Sequence, residues 1–302
     1  MKIAITGAAG FLGRPLVRKL IRDGHSVTAL VRQPEQTPSV EGAPVQKFDA
    51  RAPLNPGALV GQEAVIHLAG ESIAQRWTEE RKALILESRT AGTSAIVKAA
   101  IEARTVKVLL SASAVGYYGP HGAEELTEES PPGDDFLARV CIAWERATGP
   151  ASSAGIRTVN LRTGIALHPE GGALRAMLTP FRLGVGGRLG SGMQYMSWIH
   201  REDWISLCAH CLIADSLRGP VNFTAPNPVT NREFTAALGK FLHRPTLLPA
   251  PAPALKLVLG EMATMLLEGQ RALPRRALSS NFRFKFPYLP EALASFLLPA
   301  SA

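Results

Sequence analysis

The chain has 302 residues, 46% of them hydrophobic and 19% charged. That is a globular composition: it excludes disorder as the main state and fits one large domain or two modest ones. No apolar run reaches the ~18 residues of a membrane-spanning helix, and the opening MKIAITGAAG lacks a signal peptide's layout. With three cysteines, an odd number, a closed disulfide framework is not expected either. A cytoplasmic protein with no membrane partner is therefore expected. The net charge of +8 lies in residues 151–302, which hold 16 Lys+Arg against 8 Asp+Glu. This suits a small anionic ligand or a solvated basic surface. Without a basic run interleaved with aromatics, or a helix-turn-helix or zinc-finger spacing, no nucleic-acid partner is expected.

Lys2 to Thr6 alternates around Ile3 and Ile5, reads as a short strand, and meets a turn containing Gly7, Gly10 and Gly13. Leu12, Leu16, Val17, Leu20 and Ile21 then fall at helical offsets, and Gly24 stands where a helix C-cap is expected. Ser26 to Val31 is a second buried strand. In Gly7-x-x-Gly10-x-x-Gly13 the glycines serve a tight turn, close approach to a pyrophosphate and close packing of helix on strand, while the helix N-terminus offers its N–H groups to phosphate. Strand two ends Val31-Arg32 rather than on an acidic residue, and a guanidinium there accommodates a 2′-phosphate, which favours NADP(H) over NAD(H). A plain surface arginine is the alternative.

Ala64 to Leu68 is a further strand running into Ala69-Gly70, and Val106 to Leu110 is another running into Ser111-Ala112-Ser113. Both should end at the carboxyl edge of a parallel sheet, beside the cofactor. Between them Thr78 can cap a long helix with Glu79 and Glu80 in its first turn. This alternation predicts an α/β fold, a doubly wound parallel Rossmann sheet, over residues 1–165, with later segments near 195–225 able to join it. Residues 166–302 are expected to form a smaller substrate region, with a helical subdomain from about residue 247. There Arg175, Arg182 and Arg188 are candidate anion ligands, and Gly184 to Gly192 reads as a mobile flap. Leu248 to Pro253 reads as a stiff connector. Leu255, Val258, Leu259, Met262, Met265 and Leu266 then form a helical apolar face, with methionine as core filling. The acidic run Glu124, Glu125, Glu128 and Glu129 reads as a solvated loop, and Cys208-Ala-His-Cys211 as a buried helix face rather than a metal site.

TGAAGFLG (6–13), HLAG (67–70), SASAVGYYG (111–119), LRTG (161–164) and SWIHREDW (197–204) occur in one order. Together they resemble the extended short-chain dehydrogenase/reductases, the NAD(P)-dependent epimerase/dehydratase superfamily. Residues 70–93, VCIAWE (140–145), PFRLGVGGRLGSG (180–192) and LLEGQRALPRR (266–276) resemble its atypical "epimerase family" branch, which carries a small C-terminal domain of unknown function. The resemblance implies that Gly7, Gly10, Phe11, Leu12 and Gly13 cradle pyrophosphate and that Val31 and Arg32 flank the 2′-phosphate. Asp49 would approach adenine, and Leu68, Ala69 and Gly70 would pass under the nicotinamide ribose. Ser111, Ile165 and Ala166 would lie along the same groove. Arg89 replaces the usual Asn before Gly92-Thr93 and could reach a cofactor phosphate or stay an exposed helix arginine. By the same analogy a homodimer would pair through helices near 80–100 and 135–150.

The superfamily's catalytic Tyr and Lys, four residues apart, are missing: the matching positions are Leu137 and Cys141, or Cys141 and Glu145 in a register shifted by four. Ser113 fits the superfamily's active-site serine or threonine. Tyr117 and Tyr118 follow on a loop, and either hydroxyl could donate to a substrate carbonyl beside a positive neighbour such as Arg89. Cys141 reads as a small buried hydrophobe, and Glu71 as a carboxylate base or a cap. Two functions stay open. One is hydride transfer between NADP(H) and a small or nucleotide-linked anion; the other is a catalytically silent NADPH-responsive binding protein.

Overall fold

The computed structural model describes residues 1–52 and 54–297. The first unit is as expected: strand β1 (Lys2–Thr6), helix α1 (Gly13–Arg22) and strand β2 (Ser26–Val31). Gly24, at φ +84°, turns the chain out of α1. A β3–β4 hairpin (Ser39–Val40, Ala43–Lys47) leads to β5 (Ala64–His67). Helix α2 (Glu79–Ala103) follows, its first turn closed by Thr78 Oγ1, which accepts from Arg81 N. Strand β6 spans Val108–Ala114, later than the sequence suggests, because it pairs with β8 (Arg157–Thr163) as far as Ala114. Between β6 and β8 lie β7 (Glu125–Leu126), α3 (Phe136–Arg146) and α4 (Gly149–Ser153).

The second half supplies β9 (Ile165–Leu167), α5 (Gly172–Arg182), β10 (Tyr195–Met196), β11 (Trp198–His200), α6 (Arg201–Ile213) and β12 (Gly219–Phe223). Then come β13 (Val229–Thr230), α7 (Asn231–Leu242), α8 (Ala252–Leu259), α9 (Thr264–Leu267), β14 (Arg271–Ala272), α10 (Arg275–Ser279) and α11 (Leu289–Leu297). Eight strands form one sheet in the order β12-β8-β6-β5-β1-β2-β4-β3, parallel except where β3 joins β4. The order runs outward in opposite directions from β1 and β5, so the crevice beyond their carboxyl ends is the topological switch point. Leu16, Val17 and Leu20 of α1 pack with Trp204, Leu207 and Cys208 of α6 on one face. Ile96, Val97 and Ala100 of α2 cover the other with Ala151 of α4. A separate core joins α5, α7 and α11 through Leu174, Phe181, Phe234 and Leu293. No helix of the described residues is long and apolar enough to cross a membrane.

Three expectations for the loops are corrected. The acidic run is not simply solvated: Glu128 is buried, and its Oε1 accepts from Asn222 N and Arg276 N at 3.0 and 3.2 Å. Glu125 and Glu129 pair with Arg271 and Arg276. The Gly184 to Gly192 segment is tied down, since Gly190 N and Ala250 N bond to Ala250 O and Arg188 O, and Leu189 N donates to Asn231 Oδ1. The predicted single helix over 255–266 breaks at Gly260, which sits at φ +63°. Met262 is core as expected, yet Val258 is exposed.

Candidate active site

The switch-point crevice is shaped by glycines that tolerate no side chain. Gly7 lies at φ +68°, and a Cβ there would come within 2.9 Å of Leu68 C. One on Gly13 would stand 2.1 Å from Gly7 O. The turn closes through Gly10 N donating to Gly7 O at 3.0 Å. Leu12 is the N-cap of α1 and gives no side-chain cap, and the first turn holds no acid; Arg14 N bonds Gly10 O and Pro15 has no N–H, which leaves Leu12 N and Gly13 N for an anion. Thr6 fixes the opposite wall: its Oγ1 accepts from Leu68 N and Ala69 N, both at 3.1 Å. With both lone pairs engaged, the hydroxyl proton goes to His67 Nδ1, 2.7 Å away. His67 is fully buried, and burial pushes its pKa down to about 4, so the ring is neutral with its proton on Nε2.

Around this cradle the expected cofactor residues separate by depth. Arg32 is exposed and reaches the Glu71 carboxylate, NH1 to Oε1 3.7 Å, on the loop that follows Gly70. Glu71 also meets Arg81 at 3.4 Å, so it is an ion-pair partner here rather than a cap. Val31 and Ser111 are buried in their strands. Phe11 packs against Gly171, where a Cβ would lie 2.5 Å from its ring, and Ala166 O borders the neighbouring Gly172. Ile165 and Ala166 form the β9 ladder with Trp198 and Ile199. Asp49 accepts from Arg51 N and lies beyond the end of β4, next to Ala50, which touches Gly92. Arg89 is neither surface-exposed nor beside a tyrosine. Its NH1 donates to Glu71 O and Ile85 O, its guanidinium faces the Trp144 ring, and it lies against Gly70.

On the β6 side the structure joins residues that are far apart in sequence. Ser113 Oγ donates to Glu145 Oε1 at 2.7 Å. Arg162 grips the same carboxylate through two bonds, Nε to Oε1 at 2.8 Å and NH2 to Oε2 at 2.9 Å. Its NH1 donates to Tyr118 Oη at 3.0 Å, and Tyr118 donates in turn to Asn222 Oδ1 at 2.7 Å. Burial opposes charge on Arg162, but Glu145 more than offsets this and holds the guanidinium above its ordinary pKa. Tyr117 is half-buried with the Arg162 guanidinium 3.4 Å from its ring centroid.

The expectation that either tyrosine could serve a substrate narrows to Tyr117. Tyr118 is fully buried, both of its hydrogen-bonding roles are used, and burial pushes its phenol up to about 12. Ser113 is buried as well, and its proton is committed to Glu145. Leu137 packs against Gly116, and the Cys141 thiol is buried and pushed up to about 12, so neither position restores the absent pair. Cys208 and Cys211 are buried on α6 as expected, and the described residues contain no cluster of metal-ligating side chains. Sequence reasoning missed Arg162 and Asn222. Arg162 is one of several polar residues of β8 (RTVNLRT) and carried no signal of its own, whereas Asn222 between Val221 and Phe223 of β12 is the kind of polar residue in an apolar setting that signals a buried network.

A dinucleotide-type crevice on a doubly wound sheet defines the class of this protein. The model of the NAD dependent epimerase/dehydratase family matches residues 3–222, and that of a domain of unknown function, DUF1731, matches residues 250–296. The chain belongs to the NAD-dependent epimerase/dehydratase family. It is 40% identical to the "Epimerase family protein SDR39U1 homolog, chloroplastic" of Arabidopsis thaliana, over 98% of this chain and 87% of that protein. It is 39% identical to the "Epimerase family protein YfhF" of Bacillus subtilis, over 98% of each. The crystal structure of human epimerase family protein SDR39U1 (isoform 2) with NADPH matches with a TM-score of 0.88 and 35% identity, covering 98% of this chain and 99% of that one.

Proposed function

We propose that the chain binds NADP(H) in the switch-point crevice and reduces or epimerises a small molecule there. The observation that carries the reading is the tight glycine turn: Gly7 and Gly13, where a Cβ would meet Leu68 C and Gly7 O, let β1, the turn and α1 pack backbone on backbone, and the start of α1, without a side-chain cap, opens at that turn. The human relative crystallised with NADPH supports the same choice. Arg32 would hold the 2′-phosphate, exchanging its contact with Glu71 for a bidentate one. Leu68, Ala69 and Gly70, held by Thr6, would carry the nicotinamide ribose, and Arg89 would brace Gly70 from behind.

The bound reduced cofactor would supply a hydride to a carbonyl carbon. Tyr117 would deliver the proton to its oxygen, with Arg162 beneath the ring as the positive neighbour in place of the missing lysine. Ser113, buried with its proton given to Glu145, would hold that carboxylate and through it Arg162 in place. A small anionic substrate, held by the basic second half, is part of this reading. Cytoplasmic location and pairing of two copies through α2 and α3 complete it.

The second reading, a catalytically silent NADPH-responsive binding protein, is favoured by Leu137 and Cys141 standing where the catalytic pair would be. Calorimetry tests the common ground: NADPH should bind more tightly than NADH, and Arg32→Asp should lower NADPH affinity about tenfold or more while sparing NADH, the scale of one lost charge-assisted contact. Equal wild-type affinities would refute the assignment. Turnover in a carbonyl and nucleotide-sugar panel, abolished by Tyr117→Phe, separates enzyme from binding protein.

A further inference from the structure

Exposed large apolar side chains crowd two segments that lie side by side. The loop after α5 carries Leu183 and Val185, 73% and 60% exposed, and the connector between α7 and α8 carries Leu247 and Leu248, 87% and 66% exposed. The two segments are joined along their length: Arg244 Nε donates to Arg182 O at 2.9 Å, Leu248 O stands where a side chain on Gly187 would lie, and Ala250 N donates to Arg188 O at 2.8 Å. Pro245, Pro249, Pro251 and Pro253 stiffen the connector that holds the two leucines out. Helix α8 follows directly, with Ala252 against Gly190. It has no fully buried residue, and its Leu257 and Val258 are exposed as well.

The charge these segments bring is of one sign. Residues 171–200 and 234–260, which include the loop, the connector and α8, contain no Asp or Glu. Arg182, Arg188, Lys240, Arg244 and Lys256 are exposed, and among the described residues none of them meets a carboxylate. Other arginines of the second half do: Arg271 and Arg276 pair with Glu125 and Glu129. Like charge opposes a second copy on this face. Side chains this exposed project rather than line a groove. A lipid interface accepts such projections without a shaped counterpart, while anionic headgroups answer the cations.

We propose that this face docks on an anionic lipid bilayer, with Leu247, Leu248, Leu257 and Val258 entering the headgroup region and the unpaired cations meeting lipid phosphates. The lack of a spanning stretch speaks only to crossing a membrane, and a surface-bound protein needs none. Docking of this kind is independent of the cofactor reading.

The full chain, without cofactor, is sedimented with vesicles of dioleoylphosphatidylcholine and with vesicles of an equimolar mixture of that lipid and dioleoylphosphatidylglycerol. It should pellet with the anionic vesicles and do so less as salt rises. Leu247→Gln and Leu257→Gln should each lower vesicle affinity about tenfold, and Lys240→Gln and Lys256→Gln about fivefold each. All four side chains face solvent, so the urea midpoint should stay at wild type, which separates docking from folding. No binding to either vesicle, equal binding to both, or adsorption that the leucine substitutions leave unchanged would overturn the proposal. So would light scattering that shows a dimer broken by Leu247→Gln, or capture of polyglutamate in preference to anionic vesicles, since the face would then serve a second copy or an acidic protein.

Discussion

The two sides of the crevice are built from different materials. On the β1 and β2 side the proposed cofactor cradle is backbone: glycines at 7, 10 and 13 and the start of α1, with one exposed arginine beside them. On the β6 side the wall is a buried network of side chains that complete one another across long sequence distances, Ser113 to Glu145 to Arg162 to Tyr118 to Asn222. A backbone cradle demands fixed residue types at fixed spacing, so it survives as a motif. A side-chain network demands only mutual satisfaction, so its members can change together; here a charged pair occupies the neighbourhood in which the expected Tyr and Lys are missing.

Breaking the network should have the largest effect. Arg162→Met removes five buried donors and strands the Glu145 carboxylate, which is mostly buried with it. We expect a loss of about 3–5 kcal/mol in unfolding free energy, read as a lower urea midpoint, and partial recovery in the Arg162→Met/Glu145→Leu double variant. A midpoint near wild type in the single variant would show that the pair carries no structural load. The cradle should respond next. Gly13→Ala places a methyl 2.1 Å from Gly7 O, and the backbone must yield; the expected cost is about 1–3 kcal/mol, together with weaker NADPH binding. If both quantities stay at wild type, the close packing of α1 on β1 is not what positions the turn.

The contrast also explains what could be read from sequence. Strand β1, helix α1, strand β2 and the Thr78 cap are local, and each announces itself by periodicity or by a capping residue. Val258 fits the helical period but points to solvent, because Gly260 ends the helix there. Glu128 looked solvated because its partners, Asn222 N and Arg276 N, come from 94 and 148 residues away. Arg276 had no visible role for the same reason, and Arg162 could be seen only as a letter within LRTG.

His67 lies on the boundary between the two sides and gives a pH-dependent test. In the folded chain burial lowers its pKa from 6.5 to about 4. An unfolded chain therefore takes up a proton in that window that the native state refuses. Stability is full above pH 6.5 and declines as pH falls toward 4, at up to about 1.4 kcal/mol per pH unit for one group. His200, lowered in the same way, adds a second contribution of the same sign. In His67→Gln the slope of unfolding free energy between pH 5 and 6 should fall by about one proton's worth. An unchanged slope would mean that the imidazole is not held neutral by its burial beside Thr6.

The smallest effect belongs to Glu71, which follows Gly70 and pairs with Arg32 at the end of β2. It competes with the proposed 2′-phosphate for Arg32, across 3.7 Å and with the arginine mostly exposed. A surface pair of this kind contributes about 0.2–1 kcal/mol. Glu71→Gln should therefore tighten NADPH by only about twofold to fivefold and leave NADH unaffected. Arg81 keeps its bond to Ser72 O, so the loop after Gly70 should hold its place. The gain should shrink as ionic strength rises, because the charges involved face solvent. Weaker NADPH binding in Glu71→Gln would reverse the assignment: Glu71 would then be the residue that aims Arg32 at the phosphate rather than the one that occupies it.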